Sequence, residues 1–281
     1  MAKSVVIAEK PSVARDIANV LNCRKKGNGF LEGDQYIVTW ALGHLVTLAD
    51  PETYDQKYKT WNLEDLPMLP KQLKLVVMKQ TGKQFNAVKS QLTRGDVKDI
   101  IIATDAGREG ELVARWIIEK ANVKKPIKRL WISSVTDKAI KDGFNRLKPG
   151  KDYENLYASA VARSEADWYI GLNATRALTT KHNAQLNCGR VQTPTVAMVA
   201  AREEEIKNFK PKTYYGIEAK SDALTLTWQD KDGNSRSFNK EKMDAILQSL
   251  GKQNAEVVAI DRKAKKTYSP ALYDLTELQR D

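Results

Sequence analysis

Residues 99–118, Asp-Ile-Ile-Ile-Ala-Thr-Asp-Ala-Gly-Arg-Glu-Gly-Glu-Leu-Val-Ala-Arg-Trp-Ile-Ile, constrain the fold more than any other stretch. Ile100 to Ala103 form a short apolar run between a charge and a turn, the pattern of a buried strand. Leu112, Val113, Trp116 and Ile117 are two adjacent pairs four residues apart, which make one apolar face of a helix. Between strand and helix stand Asp105, Gly107, Arg108, Glu109, Gly110 and Glu111. Acids at the carboxyl end of a strand occupy the rim where ligands bind in open α/β sheets. An Asp N-cap with acids favouring the helix dipole accounts for Asp105 and Glu109. It does not account for two glycines in the turn.

A second copy of this layout opens the chain. Ser4 to Ala8 reads as a buried strand, Glu9-Lys10-Pro11-Ser12 follows, and Ser12 is expected to cap a helix running to about Leu21. If the two strands are neighbours in a parallel sheet, Glu9 lies near Asp105; otherwise Glu9 and Lys10 are an exposed charged pair. Tyr36 to Ala41 is a third strand, followed by Gly43-His44-Leu45. His44 and His182 are expected to be structural. Residues 50–72 read as a long connection, in which Tyr54, Lys57, Tyr58, Lys59 and Trp61 form either a base-stacking surface or a loop pinned by its own aromatics. Strands are expected at 73–78 and 129–132, and helices at 82–94 and from Thr136 to about Leu147. The alternation predicts an α/β domain with a largely parallel sheet over residues 1–150.

Beyond Pro149-Gly150 the pattern becomes helical, and residues 151–212 are expected to form a mainly helical domain. Arg163, Asp167 and Arg176 interrupt or flank its apolar positions, with Arg163 and Asp167 spaced for an intrahelical pair. In Asn187-Cys188-Gly189-Arg190-Val191-Gln192-Thr193-Pro194, Thr193 and Pro194 suggest a helix start. Gly189, Arg190 and Gln192 then sit where orphan N–H groups attract a phosphate. Residues 213–281 read as part of a β-rich domain, with strands over 215–220 and 224–228 and a turn at 230–235 that gives a hairpin. A helix from Asn239 to about Leu250 and a strand over 255–262 should follow, then a helix beginning near Leu272 or Thr276 that the end of the chain cuts short, as in a fragment.

The 281 residues carry 46 Lys and Arg against 35 Asp and Glu, a net charge of +11. That excess points to a polyanionic partner, and nucleic acid fits better than a membrane surface because no basic amphipathic helix is evident. No stretch is long enough to span a bilayer, and no signal peptide precedes the first strand. Cys23 and Cys188 make no disulfide framework, which fits a reducing, cytoplasmic setting.

Taken together, Glu9-Lys10-Pro11-Ser12 and Asp105-Ala-Gly-Arg-Glu-Gly-Glu111 resemble the two halves of a Toprim metal site. With Gly43-His44-Leu45, Arg163-Ser-Glu-Ala-Asp-Trp168 and Gly189-Arg-Val-Gln-Thr-Pro194, the order of motifs resembles the amino-terminal part of type IA DNA topoisomerases. The resemblance implies that Glu9, Asp105 and Glu109 hold Mg²⁺, and that Lys10 stabilises the phosphate or protonates the leaving 3′ oxygen. It further implies a single-stranded DNA groove lined by Trp61, Arg163, Asp167, Trp168, Arg176 and residues Asn187, Cys188, Gly189, Arg190, Val191 and Gln192, in a monomer that contacts the phosphate backbone. Two departures stand out. The family pattern is Asp-x-Asp-x-Glu, and Gly107 replaces its second acid. The family's nucleophilic tyrosine lies in a Tyr-Pro-Arg-Thr-Asp-Ser-like segment, and none of the 10 tyrosines has that context; Tyr268 precedes Ser-Pro-Ala and Tyr273 precedes Asp-Leu-Thr. The nucleophile is therefore expected outside these residues. The alternatives are a metal-dependent Toprim nuclease or primase-like protein, and a DNA-binding module whose acids only cap helices.

Overall fold

The structure, a computed structural model, describes residues 2–222, 224–251, 256–270 and 272–273. It divides into two compact units, residues 1–203 and 204–281.

The first unit is built on a seven-stranded sheet. In chain order its strands are β1 (Lys3–Ala8), β2 (Lys25–Gly27), β3 (Phe30–Glu32), β4 (Tyr36–Trp40), β7 (Val97–Ala103), β8 (Ile127–Arg129) and β9 (Lys148–Pro149). Their spatial order is β2-β3-β4-β1-β7-β8-β9. The four central strands, β4, β1, β7 and β8, run parallel, and antiparallel strands close both edges. Two further strands, β5 (Val46–Leu48) and β6 (Leu75–Val77), form a separate antiparallel pair.

Helices cover both faces, so alternate residues of the central strands enter different cores. Val5, Ile7, Ile100 and Ile102 join the core under α2 (Gly82–Leu92) and α3 (Arg108–Lys120). Val6, Ala8, Ile101 and Ala103 join the one under α1 (Pro11–Val20) and α4 (Asp137–Phe144). Burial on both faces explains why these strands read as continuous apolar runs.

Several local expectations shift. Ser12 does not cap α1; Lys10 holds the cap position without a side-chain bond, and Pro11 supplies the pre-set φ of a first helical residue. Thr136 does cap α4, its Oγ1 accepting from the Ala139 N–H. That helix stops at Phe144 rather than near Leu147, because Lys148 and Pro149 turn back to pair with β8.

Beyond the sheet, α5 (Glu154–Ala166), a π-helical turn at Asp167–Gly171 and α6 (Leu172–His182) follow one another without a break, and α7 spans Gln192–Lys207. The last helix begins before Thr193, so Thr193 is no cap; its hydroxyl accepts from the Gly189 N–H instead.

In the second unit β10 (Glu218–Lys220) pairs antiparallel with β11 (Thr225–Thr227). The turn at 230–235 closes where the Asp230 carboxylate accepts from the Asp232 and Asn234 N–H groups and Gly233 takes φ +83°. Helix α8 (Lys240–Leu250) starts at Asn239, whose side chain accepts from the Lys242 N–H. Residues 256–262 form no strand; Ala255 and Thr276, where a strand and a helix were expected to begin, lie outside the described residues.

Candidate metal rim and strand cleft

Parallel register pairs Ala8 with Ala103, which carries the next residues of both strands to one rim. There the Asp105 N–H donates to Glu9 Oε2 at 3.1 Å. Glu9 and Asp105 are thus neighbours at the carboxyl edge of the sheet, and Lys10 stands exposed beside them.

Gly110 sets the approach of α3 to this rim. A Cβ there would collide with the Asp105 carbonyl oxygen and lie 2.9 Å from the Asp105 nitrogen. The Thr104 hydroxyl ties the two segments by donating to Gly110 O at 2.7 Å. Gly110→Ala is therefore expected to cost about 1–3 kcal/mol through overpacking; a melting temperature equal to that of the parent chain would contradict this. Gly107 is different. Its backbone is extended, and a Cβ would meet nothing within 4 Å, so the position where the family carries an acid is open space.

Beneath the rim lies a clamp. Glu111 and Arg129 are both fully buried and paired at 2.9 Å. Arg129 also donates to the carbonyls of Ile102, Thr104 and Leu130 through Nη1 and, at 2.7 Å, to Asp105 O through Nη2. Arg115 holds the other Glu111 oxygen at 2.7 Å. Burial lowers the Arg129 pKa, opposed by the charge of Glu111. Glu111 is thus an anchor rather than a ligand. The two arginines escaped the sequence reading, although an arginine directly before Leu130 and Trp131 in a strand is itself a signal of a buried charge needing a partner.

Glu109 faces elsewhere. Its Oε1 lies 2.8 Å from His44 Nε2, and the His44 ring packs edge-on against Trp116. Among the described residues no group of three or more His, Cys, Asp or Glu side chains comes close enough to hold an ion. Glu9 and Asp105 thus meet at the rim, while the Glu109 carboxylate is paired with His44.

A narrow cleft leads away from Glu109. Glu109, Arg163, Ser164 and Asp167 line it, a space of about 100 Å³. A separate space of about 400 Å³ shares Asp167 with it and is lined also by Gly171, Cys188, Gly189, Arg190 and Val191. Asp167 pairs with Arg190, Nε to Oδ1 at 3.0 Å, rather than with Arg163 on its own helix. Thr175 Oγ1 accepts from the Cys188 N–H at 2.9 Å and so pins the 187–191 loop to α6.

Residues 4–135 match the Toprim domain model, and residues 151–281 match a model described as DNA topoisomerase. A DNA topoisomerase 3 of Bacillus cereus is 80% identical over 282 aligned positions, which take in all of this chain. Over its whole length the chain is similar to DNA topoisomerases. The corresponding protein of Bacillus subtilis is 70% identical over the same span, and the chain covers 39% of the length of either relative. The full-length topoisomerase I of Thermotoga maritima shares the fold, with a TM-score of 0.60 at 23% identity over 86% of this chain and 37% of that one.

Not all the groove residues implied by the resemblance face the cleft. Trp168 is 8% exposed; its Nε1 donates to Ala49 O at 2.9 Å, and its ring meets Tyr54 and Tyr169 edge-on. Arg176 is buried as well. It donates to Tyr58 O at 2.6 Å and lies over the Trp61 ring, so it pins the 50–72 connection. Burial lowers its pKa. Trp61 itself remains 46% exposed. Asn187, Val191 and Gln192 are exposed, and Cys188 and Gly189 half-buried.

Proposed function

We propose that this chain is the amino-terminal part of a type IA topoisomerase that breaks one DNA strand through a 5′-phosphotyrosine link, passes a strand and reseals. Residues 1–150 supply the metal rim and residues 151–212 the groove for single-stranded DNA; residues 213–281 contribute part of a strand-rich gate. Covalent catalysis keeps the phosphodiester energy, so no nucleotide cofactor is consumed. The nucleophilic tyrosine is supplied from outside these 281 residues. The setting is the cytoplasm, the working form a monomer. No described helix is long and apolar enough to cross a membrane.

The observation that carries this reading is the Asp105 N–H on the Glu9 carboxylate at the rim, with Glu109 at the mouth of the adjoining cleft. Mg²⁺ usually takes one or two carboxylates and completes its shell with water and phosphate oxygens. Glu9 and Asp105, both at the solvent edge, fit that donor set, and Glu109 joins them only on leaving His44. Mg²⁺ bound there would neutralise charge on the scissile phosphodiester. Lys10 is free to donate to the leaving 3′ oxygen. Arg163 and Arg190 hold the strand by its phosphates, which requires no base readout.

Calorimetry of Mg²⁺ binding to the chain saturated with a single-stranded oligonucleotide tests the rim. Glu9→Gln and Asp105→Asn should each weaken Mg²⁺ by about tenfold or more, as loss of a charged ligand would predict. Unchanged affinity in both would mean that the acids only shape the turn. Mg²⁺-dependent nicking by the 281 residues alone, abolished by Asp105→Asn, would favour the nuclease reading instead.

A further inference from the structure

A second cleft of about 400 Å³ lies beside the rim. Ile102 pairs with Arg129, so Leu130, Trp131 and the residues after them leave β8 at the same edge from which Glu9 and Asp105 leave β1 and β7. Trp131, Ser133, Ser134, Asp142, Arg146 and Lys148 line the cleft. None of them belongs to the metal rim or to the groove of α5 to α7.

Its floor is built by close packing. Gly143 lies in the last turn of α4. A Cβ at that position would press on Ile132 Cγ2 and Leu130 Cδ1, both at 2.7 Å. The missing side chain lets the 130–134 segment run tight against the helix. Trp131 has two ring contacts: Tyr153 stacks on it at 4.9 Å and 25°, and the Arg129 guanidinium lies 5.0 Å from its ring centre. Even so, 39% of Trp131 remains in solvent. Arg146 and Lys148 are both exposed, and Asp142 is the single acid among the lining residues.

An ordered aromatic beside two unburied cations and two hydroxyls matches the chemistry of one nucleotide of a single strand. Stacking takes the base and point charges take the phosphate, without regard to sequence. The volume suits such a unit, since ligand clefts begin at roughly 300 Å³. We propose that this cleft is a nucleotide subsite that carries single-stranded DNA across the sheet edge past the metal rim, with the base against Trp131 and phosphates on Arg146 and Lys148. The inference rests on the reading that the chain binds single-stranded DNA.

Fluorescence anisotropy of a labelled oligo-dT with the 281-residue chain, at several salt concentrations, tests it. Each phosphate contact on a single strand contributes about 0.7 to the slope of log K against log salt. Arg146→Ala/Lys148→Ala, altering two exposed side chains, should flatten that slope by about 1.4. Trp131→Ala should weaken binding by about tenfold or more while leaving the slope in place, as expected for a lost base stack. A double variant that keeps the parent slope overturns the subsite alone, provided the parent chain binds the oligonucleotide. Absence of binding by the parent chain overturns the subsite together with the functional reading beneath it. Displacement of the oligonucleotide by dTMP from the parent chain but not from Trp131→Ala supports the subsite. Slopes equal in parent and double variant alongside such displacement would assign the cleft to free nucleotides and overturn strand binding there.

Discussion

Arg129→Met is expected to lose about 3–5 kcal/mol of stability, the usual cost of removing one partner of a buried ion pair. The guanidinium is fully buried, and five acceptors converge on it: Glu111 Oε2 and the carbonyls of Ile102, Thr104, Asp105 and Leu130. Methionine fills much of the volume but leaves these oxygens without their donor in an apolar setting. The Glu111 carboxylate would keep only Arg115. Arg129→Lys should recover only part of the loss, since an ammonium is a compact point charge and cannot span the fork of acceptors. Thermal melting followed by circular dichroism reads both variants. For a chain of this size 3–5 kcal/mol corresponds to a drop of about 10 °C. A melting point for Arg129→Met within 2 °C of the parent, or a lysine variant no better than methionine, would remove the clamp from the account. Asp105 adds a second consequence. Its carbonyl is one of the acceptors, so the clamp fixes the strand end that presents its carboxylate, and a loosened rim should also bind Mg²⁺ less tightly.

What the sequence disclosed follows from which forces are local. Parallel strands buried on both faces must be apolar throughout, so Val5 to Ala8 and Ile100 to Ala103 were legible, as was the convergence of Glu9 and Asp105 at their ends. The two glycines stood out as unexplained by capping; that Gly110 meets the backbone of Asp105 was not legible. Pairings across the chain left no periodic trace. Asp167 has Arg163 at helical spacing, yet its partner is Arg190, 23 residues on. Glu109 has a metal-site neighbourhood in sequence and a histidine 65 residues away in space. Each of these choices depends on packing between elements, which a single sequence does not encode in its spacing. The position of β6 illustrates the same limit. Its apolar residues announced a strand, but only the fold pairs it with β5 outside the main sheet.

Trp168 offers the sharpest separation between the motif reading and the geometry. As a groove residue it would stack on bases, and its loss would weaken DNA binding while sparing the fold. Its surroundings predict the reverse. The indole is nearly enclosed, donates to Ala49 O, and meets two tyrosine rings edge-on, Tyr54 from the 50–72 connection and Tyr169 beside it. Both residues open the π-helical turn at Asp167–Gly171, where Asp167 pairs with Arg190 while the next residue enters the interior. Trp168→Ala should therefore destabilise the chain by about 3–5 kcal/mol, the range for deleting a buried aromatic. Trp168→Phe should cost less, because the ring volume is largely kept and the chief loss is the bond to Ala49. At a temperature where Trp168→Phe remains folded, its affinity for a single-stranded oligonucleotide should stay within about twofold of the parent, since a side chain so nearly enclosed offers little stacking surface. Full stability combined with a large loss of DNA affinity in Trp168→Ala would return the residue to the groove and show that the π turn opens when a strand is bound.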